Sequence, residues 1–413
     1  MKLVYPRSTA ALLALALTLA GSWAPARSAA TSNWVTAWTA APDSAGPALQ
    51  AQTIRQMVRA SVGGGSVRIR LSNLHGTAAV TVGAARVALR AAGSAIVPGS
   101  DRTLTFDGRP AVTIASGDNV LSDALDMEVA PLRELAVSLY LPAGAGASTI
   151  HGAGMQTAYI ARGADATAAL SLAGAETDDS RYFLTDVEVA SGGGAHAIVV
   201  VGDSIADGIG SKEDANERWP DLLAERLTKS SIAVVNAGIA GNRLLNGPSK
   251  PFVGPSALAR FRRDALDKPG VRWIVMHEGI NDISAGDMLA SPAEQVSARQ
   301  IIDGMQTLIR LAHERGVRIC GGTLLPYGGA GKPFVHSEAA EAKRREVNAW
   351  IRGSGEFDAV LDFDKALRDP ERPSRLLPAF DSGDHLHPND RGYRAMAEAA
   401  AIALNFVETR RAD

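Results

Sequence analysis

The sequence predicts two regions of different fold class, a β-sandwich or jelly-roll-like domain followed by an α/β domain. In residues 31–190, short runs of alternating apolar and polar residues are separated by Gly, Pro and Asp turns, which is typical of antiparallel strands. In residues 195–410, near-continuous apolar runs alternate with amphipathic segments, as in a parallel sheet buried on both faces. The glycine-rich stretch at 191–194 is the predicted linker.

The first 30 residues have the composition of a secretory signal peptide. Lys2 and Arg7 precede an apolar run at 10–20, and small residues follow up to position 30. A buried N-terminal helix is the less favoured interpretation, because Pro25 interrupts the segment. The run is too short to span a bilayer. We therefore expect a secreted or periplasmic protein without a membrane span.

Individual strands of the first region are predicted from their alternation. In chain order they cover residues 67–71, 104–108, 111–114, 135–140 and 182–184, and the run at 104–108 ends in a turn. Helical periodicity is nearly absent from this region, so we expect a domain built almost entirely from short strands.

The elements of the second region follow a strand–helix rhythm. Strands are predicted at 197–201, 232–236, 273–277, 317–324 and 359–363, and helices at 219–227, 256–266, 292–315 and 338–352. This alternation predicts right-handed crossovers between parallel strands. The loops after the first three strands should therefore face one crevice.

Composition excludes some classes of protein. The chain has 42 basic and 44 acidic residues and no concentrated basic stripe, so a nucleic-acid partner is not expected. Cys320 is the single cysteine, which rules out an intramolecular disulfide. Since it lies in an apolar run, we interpret it as a core residue.

Two distant segments carry the residues for nucleophilic catalysis. Ser204 directly follows the first predicted strand of the α/β region, and Asp384 and His387 lie in a short motif near the C-terminus. A serine hydroxyl becomes a good nucleophile when a base removes its proton and a third group orients that base. We predict that Ser204, His387 and Asp384 fill these roles.

Two further loops carry groups that could bind negative charge. Gly238 and Gly241 follow the second strand, where a backbone N–H can approach a ligand closely. Gly279 and Asn281 follow the third, and an asparagine amide can donate hydrogen bonds. Taken alone, each motif is also compatible with a tight turn or a helix cap.

Four short blocks, in order, resemble those of the SGNH, or GDSL-type, hydrolases. They are Gly202-Asp203-Ser204, the segment ending in Gly241, Gly279-x-Asn281-Asp282 and Asp384-x-x-His387-Pro388. The resemblance covers about residues 195–407. It implies a flavodoxin-like three-layer α/β/α fold and esterase or lipase activity without a cofactor.

The resemblance also implies roles for single residues. Ser204 is implied as the nucleophile, His387 as the base and Asp384 as its orienting acid. The oxyanion hole is implied to consist of the Ser204 N–H, the Gly241 N–H and the Asn281 side chain. The opening segment at 34–38 is similar to the leading region of some secreted bacterial members.

Other residues near these blocks are predicted to be neighbours of the site. We expect the Asp203 carboxylate to tie its own loop through backbone N–H groups, and His385 to lie beside the site. Glu278 leaves open a pair of carboxylates suited to glycosidic cleavage. A metal site is a further alternative, because acidic and histidine residues cluster near the C-terminus: Asp381, Asp384, His385, His387 and Asp390.

The sequence favours a secreted serine esterase that acts on a small-molecule ester or an acylated polysaccharide. Short acyl groups such as acetyl are favoured, because aromatic content is 5% and no long apolar lid segment is present. Lipase or acyltransferase activity on the same triad, metal-assisted hydrolysis, a glycoside hydrolase and a non-enzymatic carbohydrate-binding protein are the alternatives. Trp34 or Trp38 could stack on a glycan or could instead seal the interface between the two regions.

Overall fold

The computed structural model describes residues 33–248, 250–288, 294–331 and 336–409, together with Met1. The predicted signal peptide lies outside the described residues. Residues Asn33–Asp413 belong to one compact unit. Within its described part, no helix has the length and apolar character needed to cross a bilayer.

Residues 33–195, which are described throughout, contain strands and no helix. The strands are β1 (Asn33–Thr39), β2 (Ser44–Leu49), β3 (Gln52–Arg59), β4 (Gly64–Ser72), β5 (Val80–Val82), β6 (Ala84–Leu89), β7 (Arg102–Thr103), β8 (Val112–Ile114), β9 (Asn119–Leu121), β10 (Leu125–Val129), β11 (Glu134–Leu141), β12 (Ala145–His151), β13 (Ala158–Arg162), β14 (Glu176–Asp178), β15 (Arg181–Tyr182) and β16 (Leu184–Ser191).

These strands pair in antiparallel sheets. One sheet has the order β1-β16-β4-β10, with β9 also paired to β4, and another has the order β14-β13-β3-β11-β6-β7. Smaller sheets are formed by β15-β12-β2 and by β5-β8. A β-rich first region is therefore confirmed, whereas its sandwich architecture stays a prediction.

Alternation along β4 shows why the strand predictions succeed. Val67, Ile69 and Leu71 are fully buried, whereas Arg68 and Arg70 between them are partly exposed and pair with the carboxylates of Glu188 and Asp186. Such period-2 alternation is what a strand with one buried face requires. The predicted strands at 67–71, 111–114 and 135–140 lie within or beside β4, β8 and β11.

At 104–108 the predicted turn is present, but the predicted strand before it is not formed. Phe106 forms an isolated bridge with Arg109, and the chain reverses at Asp107, which has φ +50°, and Gly108. The Asp123 carboxylate accepts both N–H groups of this turn. The side chains of Leu104 and Phe106 are nevertheless buried. Their alternation with polar residues therefore reflects core packing beside a turn and not a strand.

The second region contains the parallel sheet. Its strands are β17 (His196–Gly202), β18 (Ile232–Gly238), β19 (Val271–His277), β20 (Arg318–Gly322) and β21 (Ala359–Leu361). Every pair is parallel, and the order is β18-β17-β19-β20-β21. Numbered within this sheet, that order is 2-1-3-4-5, as in flavodoxin-like sheets.

The described helices are α1 (Ser204–Asp207), α2 (Trp219–Leu227), α3 (Ala257–Phe261), α4 (Ile280–Met288), α5 (Ala298–Glu314), α6 (Glu338–Gly353), α7 (Phe363–Leu367) and α8 (Asp390–Thr409). Short 3₁₀ turns cover Thr228–Ser230 and Pro251–Val253. Alternate side chains of β17 pack in two directions: Ile198 and Val200 share a core with α2 and α8, whereas Val199 and Val201 share one with α3 and α5. The α/β class is therefore confirmed.

Two helix predictions differ in detail. The segment predicted at 256–266 is α3 followed by a π-helix over Arg262–Leu266. The helix predicted at 292–315 begins at Ala298, because Ser297 and Gln300 form a capping box there. Residues 289–293 lie outside the described part.

The two regions share one apolar core. Val35 and Ala37 of β1 belong to the same buried cluster as Val199 of β17, and the Thr36 N–H donates to the Pro269 carbonyl at 3.0 Å. Separate sheets are thus joined through continuous packing. The domain boundaries at 190 and 195 stay a prediction.

The two tryptophans of β1 have different surroundings. Trp38 borders a crevice with Pro220 and Val235 of the α/β region. Trp34 is covered by the Arg68 guanidinium, which lies 4.1 Å from the ring centroid. The position of Trp38 fits the interface role better than that of a glycan platform.

Candidate active site

Ser204 is the first residue of α1, immediately after the central strand β17. Asp203 is the N-cap of this helix, and its Oδ1 accepts the Ile205 N–H at 2.9 Å. The expected tie between Asp203 and its own loop is therefore present. The short helix holds the Ser204 side chain at the carboxyl end of the sheet, where the residue is 7% exposed.

Ser204, His387 and Asp384 form a continuous hydrogen-bonded chain. Oγ of Ser204 lies 2.8 Å from Nε2 of His387, and Nδ1 of His387 lies 2.5 Å from Oδ2 of Asp384. His387 is 4% exposed, so its ring is held between the two partners. The arrangement is that of a nucleophile, a base and an orienting acid.

The local backbone also orients Asp384. Its Oδ1 accepts the N–H groups of Leu386 and His387 at 2.9 and 2.8 Å. Burial acts to raise the pKa of Asp384, but hydrogen bonds from the ring and backbone of His387 outweigh it and lower the pKa below its usual value. The carboxylate is therefore ionised when it accepts the His387 Nδ1–H.

Strand register brings the second and third blocks to the same edge. Gly202 pairs with Gly238 of β18 and with His277 of β19, so the loops that follow these strands start level with Ser204. Gly241 has φ +76°, and a Cβ atom there would lie 2.8 Å from Cγ1 of Val253. A side chain would fit this position poorly.

Asn281 joins the third block to the second. One amide N–H of Asn281 donates to the Asn242 carbonyl at 2.9 Å. The Asp282 carboxylate accepts the N–H groups of Leu244 and Leu245 at 2.7 and 3.0 Å. Burial raises the pKa of Asp282 to about 6 despite these bonds. The two loops are thus fixed to each other beside Ser204.

Gly238 is required by close packing against α1. A Cβ atom at this position would lie 2.6 Å from the Asp207 backbone nitrogen. Gly279 directly precedes α4, and its carbonyl accepts the Ile283 N–H at 3.2 Å. These glycines shape the loops that surround Ser204.

Comparison with known families decides the assignment. Residues 200–395 match the GDSL-like lipase/acylhydrolase family, and this segment contains Ser204, the two loops and His387. The chain contains a GDSL-type hydrolase domain. The resemblance predicted from the four blocks is confirmed, and the protein is an enzyme that hydrolyses esters.

Several solved structures are similar to about half of this chain. A carbohydrate acetylesterase family member from Sinorhizobium meliloti has 15% identity, covers 51% of this chain and 98% of its own, and has a TM-score of 0.42. For a variant of an acetyl xylan esterase from Geobacillus stearothermophilus the values are 21%, 51%, 94% and 0.38. For a GDSL-like lipase from Bacteroides thetaiotaomicron they are 18%, 52%, 88% and 0.38.

No curated protein sequence matches the chain. The family assignment of the hydrolase rests on the match at residues 200–395 and not on these structural likenesses.

Two acidic residues near Ser204 are buried: Asp203, which precedes it, and Glu278, which follows β19. Asp203 Oδ2 and Glu278 Oε2 have no hydrogen-bond partner among the described residues. Burial raises the pKa of Asp203 to about 7. Burial and the nearby Asp203 together raise the pKa of Glu278 well above its usual value. Glu278 is fully buried, so it does not face solvent as a substrate-binding carboxylate would.

Arg260 is a buried cation that the sequence analysis missed. Its guanidinium donates to the carbonyls of Gly202 and Ala237 at 3.1 and 2.6 Å and to Oδ1 of Asn242 at 2.9 Å. It also lies 3.4 Å from Glu278. The side chain therefore fastens the ends of β17 and β18 to the Gly241 loop. Nothing in the local sequence distinguishes it from the neighbouring arginines of the same segment.

The C-terminal acidic and histidine residues are directed to different partners. His385 is exposed and its Nδ1 lies 2.5 Å from Asp381, whereas the Asp390 carboxylate accepts the Lys212 N–H. Among the described residues, no three His, Cys, Asp or Glu side chains are arranged to hold a metal ion. Cys320 is buried in β20, and burial raises the pKa of its thiol.

Proposed function

We propose that this hydrolase is a serine esterase that cleaves carboxylic esters through an acyl-serine intermediate. The observation that carries the proposal is the hydrogen-bonded chain from Ser204 through His387 to Asp384. Hydrogen-bond contact between a hydroxyl and an imidazole, with a carboxylate on the other ring nitrogen, activates the hydroxyl for attack.

The proposed reaction has two halves. His387 Nε2 takes the Ser204 proton while Oγ attacks the ester carbonyl, and the imidazolium then gives this proton to the leaving alcohol. Water, deprotonated by His387, then attacks the acyl-serine, the imidazolium returns this proton to Ser204 Oγ as the acyl C–O bond breaks, and the acid is released. Asp384 remains ionised and stabilises the imidazolium in both halves.

The proposed oxyanion hole consists of the N–H groups of Ser204 and Gly241 and the second amide N–H of Asn281. The first amide N–H of Asn281 donates to the Asn242 carbonyl. This hydrogen bond fixes the orientation of the amide and hence the direction of its second N–H. The hydrogen bonds of Asp282 and Arg260 hold the same loops. Such donors are worth about 2.7–4 kcal/mol each when they are already in place before the reaction.

The proposed substrates carry short acyl groups, with acetyl esters of carbohydrates as the favoured class. Four large apolar side chains of the described part are exposed: Met1, Leu170, Phe252 and Ile402. Phe252 is the one among them that lies between β18 and α3, next to Val253, whose Cγ1 lies close to Gly241. One exposed ring suits a small acyl group or a sugar face better than a long alkyl chain, which needs an extended apolar surface.

Cleavage of glycosidic bonds is less well supported. That reaction requires two carboxyl groups on either side of the sugar, and both candidates, Asp203 and Glu278, are buried behind Ser204. Lipase and acyltransferase activities would use the same triad and are outcomes of the substrate test.

The test compares nitrophenyl acetate, butyrate and octanoate, together with acetylated xylan and the same xylan after chemical deacetylation. We expect the highest kcat/KM on the acetate ester and release of acetate from acetylated xylan. A preference for octanoate would support a lipase and overturn the short-acyl assignment. Sugars released from deacetylated xylan would support a glycosidase.

We further propose export, with removal of the first 30 residues. The support is the order of charged, apolar and small residues at the N-terminus. Expression of the full chain in a bacterial host, followed by N-terminal sequencing of the periplasmic or secreted product, should give a mature chain that begins near Thr31. An uncleaved chain retained in the cytoplasm would contradict this.

A further inference from the structure

His151 connects the β-rich region to the loops that carry the catalytic groups. It is the last residue of β12, and it is 5% exposed. Its Nε2 lies 3.0 Å from Oδ1 of Asp207, the last residue of α1. Its Nδ1 lies 2.9 Å from the Ala41 carbonyl oxygen and 3.7 Å from the Asp43 carboxylate.

Both ring nitrogens of His151 face acceptors. A carbonyl oxygen and a carboxylate accept hydrogen bonds, so this setting favours a ring with a hydrogen on each nitrogen, which is the imidazolium cation. Burial by itself lowers the pKa of His151, but the charges of Asp207 and Asp43 and the hydrogen bond to Asp207 outweigh it and raise the pKa to about 9.

Asp207 transmits this contact to the oxyanion loop. While Oδ1 faces His151, Oδ2 accepts the Ala240 N–H at 2.9 Å. Ala240 directly precedes Gly241, whose N–H belongs to the proposed oxyanion hole. Asp207 is also one helical turn from Ser204, because α1 spans Ser204–Asp207. A single carboxylate is therefore held between the β-rich region and the loop that must bind the oxyanion.

We propose that His151 is a positioning residue for ester hydrolysis: it fixes the Asp207 carboxylate, which in turn fixes the Ala240–Gly241 backbone. This inference rests on the proposed function, since it assigns a device that supports the same oxyanion hole. His151 touches no reacting atom. Its role is to set the direction of the Gly241 N–H from a strand outside the α/β region.

Charge balance supports the same role. Asp207 is 2% exposed, and a buried carboxylate without a cation is unfavourable. Beside the oxyanion loop it would also repel the negative charge that develops during attack on the ester. The His151 cation removes both effects, so its loss should act on the transition state more than on the bound substrate.

The first test is His151→Gln, assayed on nitrophenyl acetate. We expect kcat to fall roughly 10- to 100-fold, the range for a displaced catalytic group, with KM changed less than about twofold. In a double-mutant cycle with Asp207→Asn, the two losses should not add, because both residues act through one contact. An unchanged kcat, or a change confined to KM, would overturn the proposal.

A matched control separates positioning from general destabilisation. Arg55 is also buried in the β-rich region and binds Ser138 and the carbonyl of Ser94. Arg55→Met should lower the thermal midpoint as much as His151→Gln or more, while kcat at 25 °C stays at the wild-type value. Equal losses of kcat in the two variants would mean that His151 acts only through stability.

The pH profile of the wild-type enzyme is an independent measurement that needs no variant to fold. The imidazolium is present below its pKa of about 9 and is lost above it, so kcat should decline as pH rises through that value. His151→Gln should lack this alkaline decline. A wild-type kcat that stays constant to well above pH 9 would overturn the positioning role. Failure of the proposed function is seen separately, as full activity of Ser204→Ala.

Discussion

The Ser204 hydroxyl lies 2.8 Å from Nε2 of His387, although 183 positions separate the two residues. Two other contacts hold their segments together. The Tyr393 hydroxyl of α8 donates to the Ile209 carbonyl at 2.6 Å, and the Lys212 N–H donates to Asp390 at 2.9 Å. The loop after α1 is thereby fastened to the start of α8, next to His387.

Removal of the nucleophile gives the most direct prediction. Ser204→Ala should lower kcat on nitrophenyl acetate by roughly 10⁴- to 10⁶-fold, as for serine hydrolases that lose the nucleophile, with an unchanged circular dichroism spectrum. A serine-reactive phosphonate should label the wild-type chain and not the variant. The control is Ser211→Ala, whose hydroxyl donates to the Gly208 carbonyl and whose loss should leave kcat unchanged. A wild-type rate in Ser204→Ala would disprove the mechanism.

Asp384→Asn tests the orienting acid. We expect kcat to fall by about 10²- to 10⁴-fold, because the amide cannot stabilise the imidazolium and favours the wrong tautomer. Since the pKa of Asp384 is lowered, its carboxylate stabilises the fold above its unfolded pKa of about 3.9 and loses this effect as pH falls below it. Because Asp384 stays ionised above about pH 4, the pH profile of wild-type kcat should contain no titration of this residue in that range. A variant with more than half of the wild-type kcat would argue against this role.

Asn281→Ala tests the oxyanion hole. Loss of one donor should lower kcat about 10²- to 10³-fold while KM changes little. Asn119, an exposed asparagine bound to Arg70, provides the control, and Asn119→Ala should have wild-type kinetics. An increase in KM alone would place Asn281 in substrate binding instead.

Arg260→Met tests the buried cation that links the loops. Its removal leaves Glu278 without its cation and takes one buried donor from each of three oxygen acceptors, so the free energy of unfolding should fall by about 3–5 kcal/mol. Arg262, two residues away, is 73% exposed, and Arg262→Met should stay within about 0.5 kcal/mol of the wild type. Urea unfolding measures both. Equal stability of the two variants would contradict the structural role of Arg260.

Asp203→Asn tests a pH dependence with a defined sign. The pKa of Asp203 is about 7 in the folded chain and about 3.9 when unfolded. Between these values only the folded state holds the proton, so the wild type loses stability as pH rises. Asparagine keeps the N-cap without the charge.

The advantage of Asp203→Asn over the wild type in urea unfolding should therefore grow from about pH 4 to 7 and stay constant above. Asp126→Asn, at an exposed position of β10, is the control for removal of a surface carboxylate. A difference for Asp203→Asn that does not vary with pH would mean that Asp203 is ionised in the folded chain throughout this range.

Local patterns were sufficient for most elements of the α/β region. Each of its strands is a short apolar run, and burial of the strand in the sheet requires that pattern. The residues before the turn at Asp107 and Gly108 were mistaken for a strand because burial of Leu104 and Phe106 produces the same local alternation. What distinguishes the two cases is Asp123, which accepts hydrogen bonds from the turn across a gap in the sequence.

The sequence by itself determined the α/β class, the family and the chemical types of the catalytic groups, because these depend on short segments with strict local requirements. Only the tertiary structure decided which groups meet: the approach of His387 to Ser204, the reach of Arg260 to three loops and the contact of His151 with Asp207. A charged or polar side chain has no periodic signature of its own. Its partner is set by where the sheet register and helix packing bring distant loops together.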